Sequence, residues 1–178
     1  MRFVVTGEWT RNRLLQVIVV LYSLYVSGLW VTNALLYFNK MSLSYRSVVE
    51  YYLGSEERFL SPRSYQGLLE VSHFHLFAMG MLLLVLTHLA LFVPIRSRLK
   101  AWLIAVPFLA AFLEEASSWL VRFAHPGFAY AKIGGFVLLQ ASLAALIAIS
   151  LWAVFTGSQR NYNGTCAGHA GSRNHPGG

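Results

Sequence analysis

The residues in this chain that could do chemistry are histidines and glutamates set within, or at the ends of, long apolar stretches. One group is Glu70-Val-Ser-His73-Phe-His75, with His88 further along the same stretch. A second is Glu114-Glu115, with Ser117 and Ser118 just beyond, and a third is His125, directly before Pro126. In apolar surroundings an ionisable group costs free energy unless it is paired or used, so each of these marks a candidate site.

Helix geometry sorts the histidines. At about 100° and 1.5 Å per residue, His73 and His88 differ by about 60° in direction and about 22 Å in height. They point to roughly one side, one near each end of a membrane-spanning helix. His75 and His88 point apart, so His73 with His88 is the better pair. Gly80 falls midway, about 20° from His73, where a flat macrocycle could approach the backbone. This arrangement resembles the small four-helix subunits of membrane b-type cytochromes, in which a transmembrane helix carries a histidine near each face to ligate haem. The resemblance covers this one helix. It implies haem b as cofactor, held by His73 and His88 beside Gly80, with a second axial ligand for each iron. His125 is the candidate partner on the His73 side. On the other side the partner would be Met81 or another subunit, so one haem is expected rather than two.

The carboxylates open a second reading. Glu70 and His73, three apart, share a helix face, as in carboxylate-bridged di-iron bundles, although those use the motif twice. His73 and His75 could also bind copper or zinc, although two histidines two apart on a regular helix diverge by about 160°. Glu114 and Glu115 diverge by about 100°, so at most one points straight at a shared site. Glu70, His73, His75, Glu114, Glu115 and His125 are therefore the candidate ligands of an iron, copper or zinc site near one membrane face. The alternatives for the glutamates are a proton relay, a quinone-site carboxylate, or a salt bridge such as Glu115 with Arg122.

The elements that must position these groups follow from hydropathy. Of 178 residues, 56% are hydrophobic and only 12% charged, about half the charged share of a soluble domain. Four apolar segments reach the roughly 20 residues a crossing needs: about 14–38, 71–93, 101–121 and 133–155. The expected fold is all-α, an integral membrane four-helix bundle over residues 1–156. Residues 157–178, rich in Gly, Asn and Ser, are expected to form a disordered tail. The first segment is too long for a signal-peptide core and should remain as an anchor. Between the first two spans, residues 44–53 read as a short helix outside the membrane, and Ser61-Pro62 as the start of the next helix. Asn33 and Gln140 are expected to hydrogen-bond between helices. Ser27-Gly28 and Gly134-Gly135 should mark close helix packing. Met79 and Met81 read as packing residues.

The net charge of +7 sits at the ends of apolar segments, which argues for topology and anionic lipid rather than nucleic acid. The 95–100 connection carries three basic residues and no acid, and the N-terminal segment carries three against Glu8. Both should be cytoplasmic, which puts the C-terminus inside as well, with a bacterial inner membrane as the expected location. Cys166 is the single cysteine, so no intrachain disulfide is possible. The leading expectation is a membrane-embedded electron-transfer subunit with a b-type haem, exchanging electrons with quinone and with other membrane or redox subunits. The alternatives are an intramembrane carboxylate–histidine metal site and a purely structural subunit of a larger complex.

Overall fold

The computed structural model describes residues 13–91, 93 and 95–170, of which 156–170 are described by backbone alone. Five α-helices follow in order: α1 Arg13–Lys40, α2 Tyr45–Leu53, α3 Tyr65–Leu91, α4 Ser97–Phe123 and α5 Ala129–Ala170, with a 3-10 turn at Pro126–Phe128. Among the described residues, four helical stretches are long and apolar enough to cross a bilayer: Arg13–Lys40, Tyr65–Leu91, Ser97–Phe123 and Pro126–Phe155. The chain is an all-α integral membrane bundle, and its outward leucines, phenylalanines and valines contact lipid.

Helices α4 and α5 form the centre and pack along one another. Helix α1 lies on α5 and α3 on α4, so these two flank the pair and scarcely touch each other. Burial follows: 17% of the most apolar stretch of α1 is buried, against 39% for the last span. Small residues set how closely the central pair approaches. At Gly135 an added Cβ would stand 3.0 Å from the backbone nitrogen of Glu114. Gly28 and Gly134 have nothing within 4 Å of such a Cβ, so the close packing expected at both is confined to Gly135. Ser27 instead donates its hydroxyl to the Ser23 carbonyl one turn back, at 2.7 Å. Gly135→Ala should push α5 off α4 and cost about 1–3 kcal/mol. Thermal unfolding in detergent, with Gly134→Ala as the near-neutral control, checks this.

The extramembrane loop is built on α2. Ser44 caps it by accepting from the Ser47 amide, and its outer face ties Arg46 to Glu50 and Glu57 and Arg58 to Glu50. Its inner face buries Val48 and Tyr52 against the bundle. Helix α3 starts later than Ser61-Pro62 suggests, at Tyr65. The Arg63 amide is held by the Tyr52 carbonyl at 3.0 Å, which keeps the preceding residues out of the helix. Ser64 becomes the cap and accepts from the Gly67 amide at 3.1 Å. At the other end α5 runs on to Ala170, where composition suggests a disordered tail from 157. An established helix extends at one hydrogen bond per added residue without a new nucleus. Residues 1–12 and 171–178 lie outside the described residues.

Candidate functional site: a polar cavity at the α2 end of the bundle

Helix α4 carries the centre of the site. Glu114 and Glu115 diverge around it and meet different neighbours. Glu114 turns to α5, where Lys132, only 5% exposed, binds its carboxylate. Lys132 also donates to the Glu114 carbonyl at 3.1 Å and to Ser118 Oγ at 2.8 Å. An ammonium has three N–H donors, so these contacts saturate Lys132. Tyr52 reaches in from α2 and donates its hydroxyl to Ser118 Oγ at 3.0 Å. Burial pushes the Tyr52 phenol above its ordinary value of 10.0, so it stays a neutral donor.

Glu115 turns the other way, towards α3. Its Oε1 accepts from the Ser72 hydroxyl, and Ser72 Oγ in turn accepts from the Trp119 indole at 2.7 Å. The second oxygen, Oε2, lies 3.6 Å from His75 Nδ1. Ser72 and His75 are three apart and so share one face of α3. At 3.6 Å the Glu115–His75 pair is just beyond hydrogen-bond reach, and a slight approach would let it exchange a proton with a third group.

Both glutamates, His75, Lys132 and Tyr52 line a cavity of about 410 Å³ under the 61–64 loop. Tyr37, 6% exposed, lines the same cavity and stacks on Phe136 at 3.7 Å. Its buried hydroxyl has no hydrogen-bond partner among the described residues, a costly state for a phenol unless something else meets it. A second cavity of about 150 Å³ runs between α3 and α4 past Gly80. A third, about 450 Å³ and almost wholly apolar, lies between α1 and α3. Asn33 and His75 border all three.

A model of a family described as a transmembrane helical domain matches residues 42–161. The chain belongs to that family of transmembrane helical domains. The matched segment holds α2, α3, α4 and the spanning part of α5, and with them Tyr52, Ser72, His75, Glu114, Glu115 and Lys132. Helix α1, with Asn33 and Tyr37, lies before it. No curated protein and no solved structure matches the chain.

This transmembrane helical domain gathers three of the sequence candidates and disperses the rest. His75, Glu114 and Glu115 converge on one cavity. His73 lies exposed beside Phe74. Glu70 is exposed and accepts from Gln66 one turn earlier, at 3.0 Å. His125 caps the 3-10 turn, its Nδ1 accepting from the Gly127 amide at 2.9 Å. His88 is exposed near the far end of α3. Among the described residues no group of three or more His, Cys, Asp or Glu side chains is placed to hold a metal ion. Arg122 turns to the Arg63 carbonyl at 2.8 Å, so its distance from Glu115 in sequence does not become an ion pair. The Gln140 carboxamide, expected to link helices, has no partner among the described residues; its backbone carbonyl accepts from the Trp30 indole at 3.0 Å.

Sequence reading missed Lys132, Tyr37, Tyr52 and Ser72. Lys132 looks like a flanking topology charge, because the apolar run resumes only at Ile133. The signal that could have found it is the pair of acids: two carboxylates in an apolar span call for a cation at similar depth. For Tyr37 no such signal exists, since a tyrosine near a span end reads equally well as part of the interfacial belt.

Proposed function

We propose that this chain is a membrane-embedded electron-transfer subunit that binds a quinone in the polar cavity and works with a b-type haem. The observation supporting this most is that Glu115, His75 and Tyr37 line one polar cavity of a membrane bundle. Reducing a quinone to a quinol adds two electrons and two protons at its carbonyl oxygens. Tyr37, whose buried hydroxyl has no partner among the described residues, is the donor to one such oxygen once a side-chain shift opens it to the cavity. The Glu115–His75 pair passes both protons, one after the other, and exchanges with water at the 61–64 loop between the two transfers. Lys132, saturated by Glu114 and Ser118, fixes α4 against α5 and leaves the exchange to Glu115.

The electrons need a one-electron centre outside the cavity. Support for haem b comes from His73 and His88, both exposed on α3. A porphyrin reaching either from outside the bundle would lie between this chain and a neighbouring redox subunit, which would supply the other axial ligand. The same reading puts the chain in a bacterial inner membrane with both termini cytoplasmic. Arg96 lies in the short connection between α3 and α4, and Arg98 and Lys100 lie in the first turn of α4 at the same end of the bundle. Lys132, near the opposite end, is buried and paired with Glu114, so it does not count as a flanking surface charge.

The test is an oxidised and dithionite-reduced absorption spectrum of the native complex, with quinone extraction and metal analysis on the same sample. Sharp reduced b-haem bands and co-purified quinone are expected. Absence of both from an intact complex would overturn the reading in favour of a structural subunit. Stoichiometric iron, copper or zinc without haem would shift it to a metal held by His75 and the two glutamates. In the native complex His73→Ala is expected to lose haem, and wild-type haem content in that variant would remove His73 as an axial ligand.

A further inference from the structure

We infer that the quinone enters and leaves sideways from the bilayer, its isoprenoid tail lying in the cleft between α1 and α3 and its head in the polar cavity above. This rests on the quinone reading and adds the route, the tail site and the ligand's amphipathic class.

The cleft exists because α1 packs on α5 and α3 on α4, leaving the two flanking helices apart. Tyr25, Leu29, Met81 and Val85 line it and are themselves 68%, 42%, 51% and 38% exposed, so it opens towards lipid and not towards water. Its polar side chains are largely spoken for. Tyr22 donates to the Leu82 carbonyl at 3.4 Å and closes the lower end. The Trp30 indole is tied to Gln140. Asn33 and His75 remain at the upper end, where the cleft meets the polar cavity. From Asn33 to Tyr22 along α1, and from His75 to Val85 along α3, the trough runs about 15 Å.

A trough with one polar end and an open apolar flank fits a molecule with a compact head and a long apolar tail. The head cavity carries charges of both signs: Lys132 is taken up by Glu114, Arg63 lies over the Tyr51 ring, and Glu115 and Lys40 complete the lining, so no uncompensated cluster of one sign calls for a charged head. A neutral head that accepts and donates hydrogen bonds suits it, and a quinone or quinol has one.

Binding of a tailless quinone and of a long-tailed quinone is measured on the purified native complex as quinone retained per chain. Ala78→Trp and Leu29→Trp fill the cleft from opposite walls at exposed positions, and Tyr37→Phe alters the head cavity. Each filler should weaken the long-tailed quinone about tenfold, through lost burial of tail carbons, and the tailless one by less than about twofold. Tyr37→Phe should weaken both alike. If both fillers leave the long-tailed quinone unaffected, the tail does not lie in the cleft, and the quinone reading survives without it. If they weaken both quinones alike, the head occupies the cleft and the assignment is overturned. Equal displacement of the long-tailed quinone by a diacyl phospholipid would make the trough a lipid site. If wild type binds neither quinone, this inference and the proposed function fall together.

Discussion

Lys132→Met should destabilise the protein by about 3–5 kcal/mol, the usual cost of leaving one member of a buried ion pair without its partner. The substitution keeps the length of the side chain and its apolar stem, so the loss is electrostatic. Glu114 would be left with its carboxylate inside the bundle, and Ser118 and the Glu114 carbonyl would each lose a donor. Glu114→Gln/Lys132→Met should recover most of the loss, because it removes both charges from the same place. Unfolding in detergent of the two single variants and the double variant closes the cycle. A Lys132→Met protein as stable as wild type would mean that the pair contributes nothing to holding α4 against α5.

Glu115→Gln should leave stability nearly unchanged and slow quinone turnover in native membranes by about 10²–10⁴-fold, the range lost with a positioned acid or base. Glutamine still accepts from Ser72, so the packing of α3 on α4 survives. What it cannot do is exchange a proton with His75 and the bound quinone. The two glutamates thus separate by experiment. Removing the Glu114 charge alone strands Lys132 and should show first in stability, whereas removing the Glu115 charge should show in rate. His75→Ala should reproduce the rate effect. Turnover in Glu115→Gln equal to wild type would take Glu115 out of the proton path.

Hydropathy made the spans legible, because a lipid-facing helix must be apolar all round and about 20 residues long. Ser44 and the amphipathic run after it likewise marked α2. Helical periodicity also anticipated that Glu114 and Glu115 diverge and that His73 and His75 face different ways, since both follow from a fixed angle per residue.

Rotation about each helix axis relative to its neighbours was not legible. In the first span nearly every position is apolar, so no polar face says which side meets the protein. The sequence therefore could not decide that the half-exposed His75 borders the cavities and meets Glu115 while His73 does not, or that Asn33 and Tyr37 border the cavity. Pairing across helices was hidden for a related reason. Glu114 finds Lys132, and Glu115 finds Ser72, only once α4 is seated between α3 and α5, and Gly135 sets the spacing of α4 and α5 through a close approach that sequence alone does not distinguish from its neighbour Gly134. The sequence by itself determined that this is a membrane bundle with ionisable groups towards one end. Tertiary packing alone decided which of those groups meet, because contacts between helices depend on rotations that an evenly apolar surface leaves unspecified.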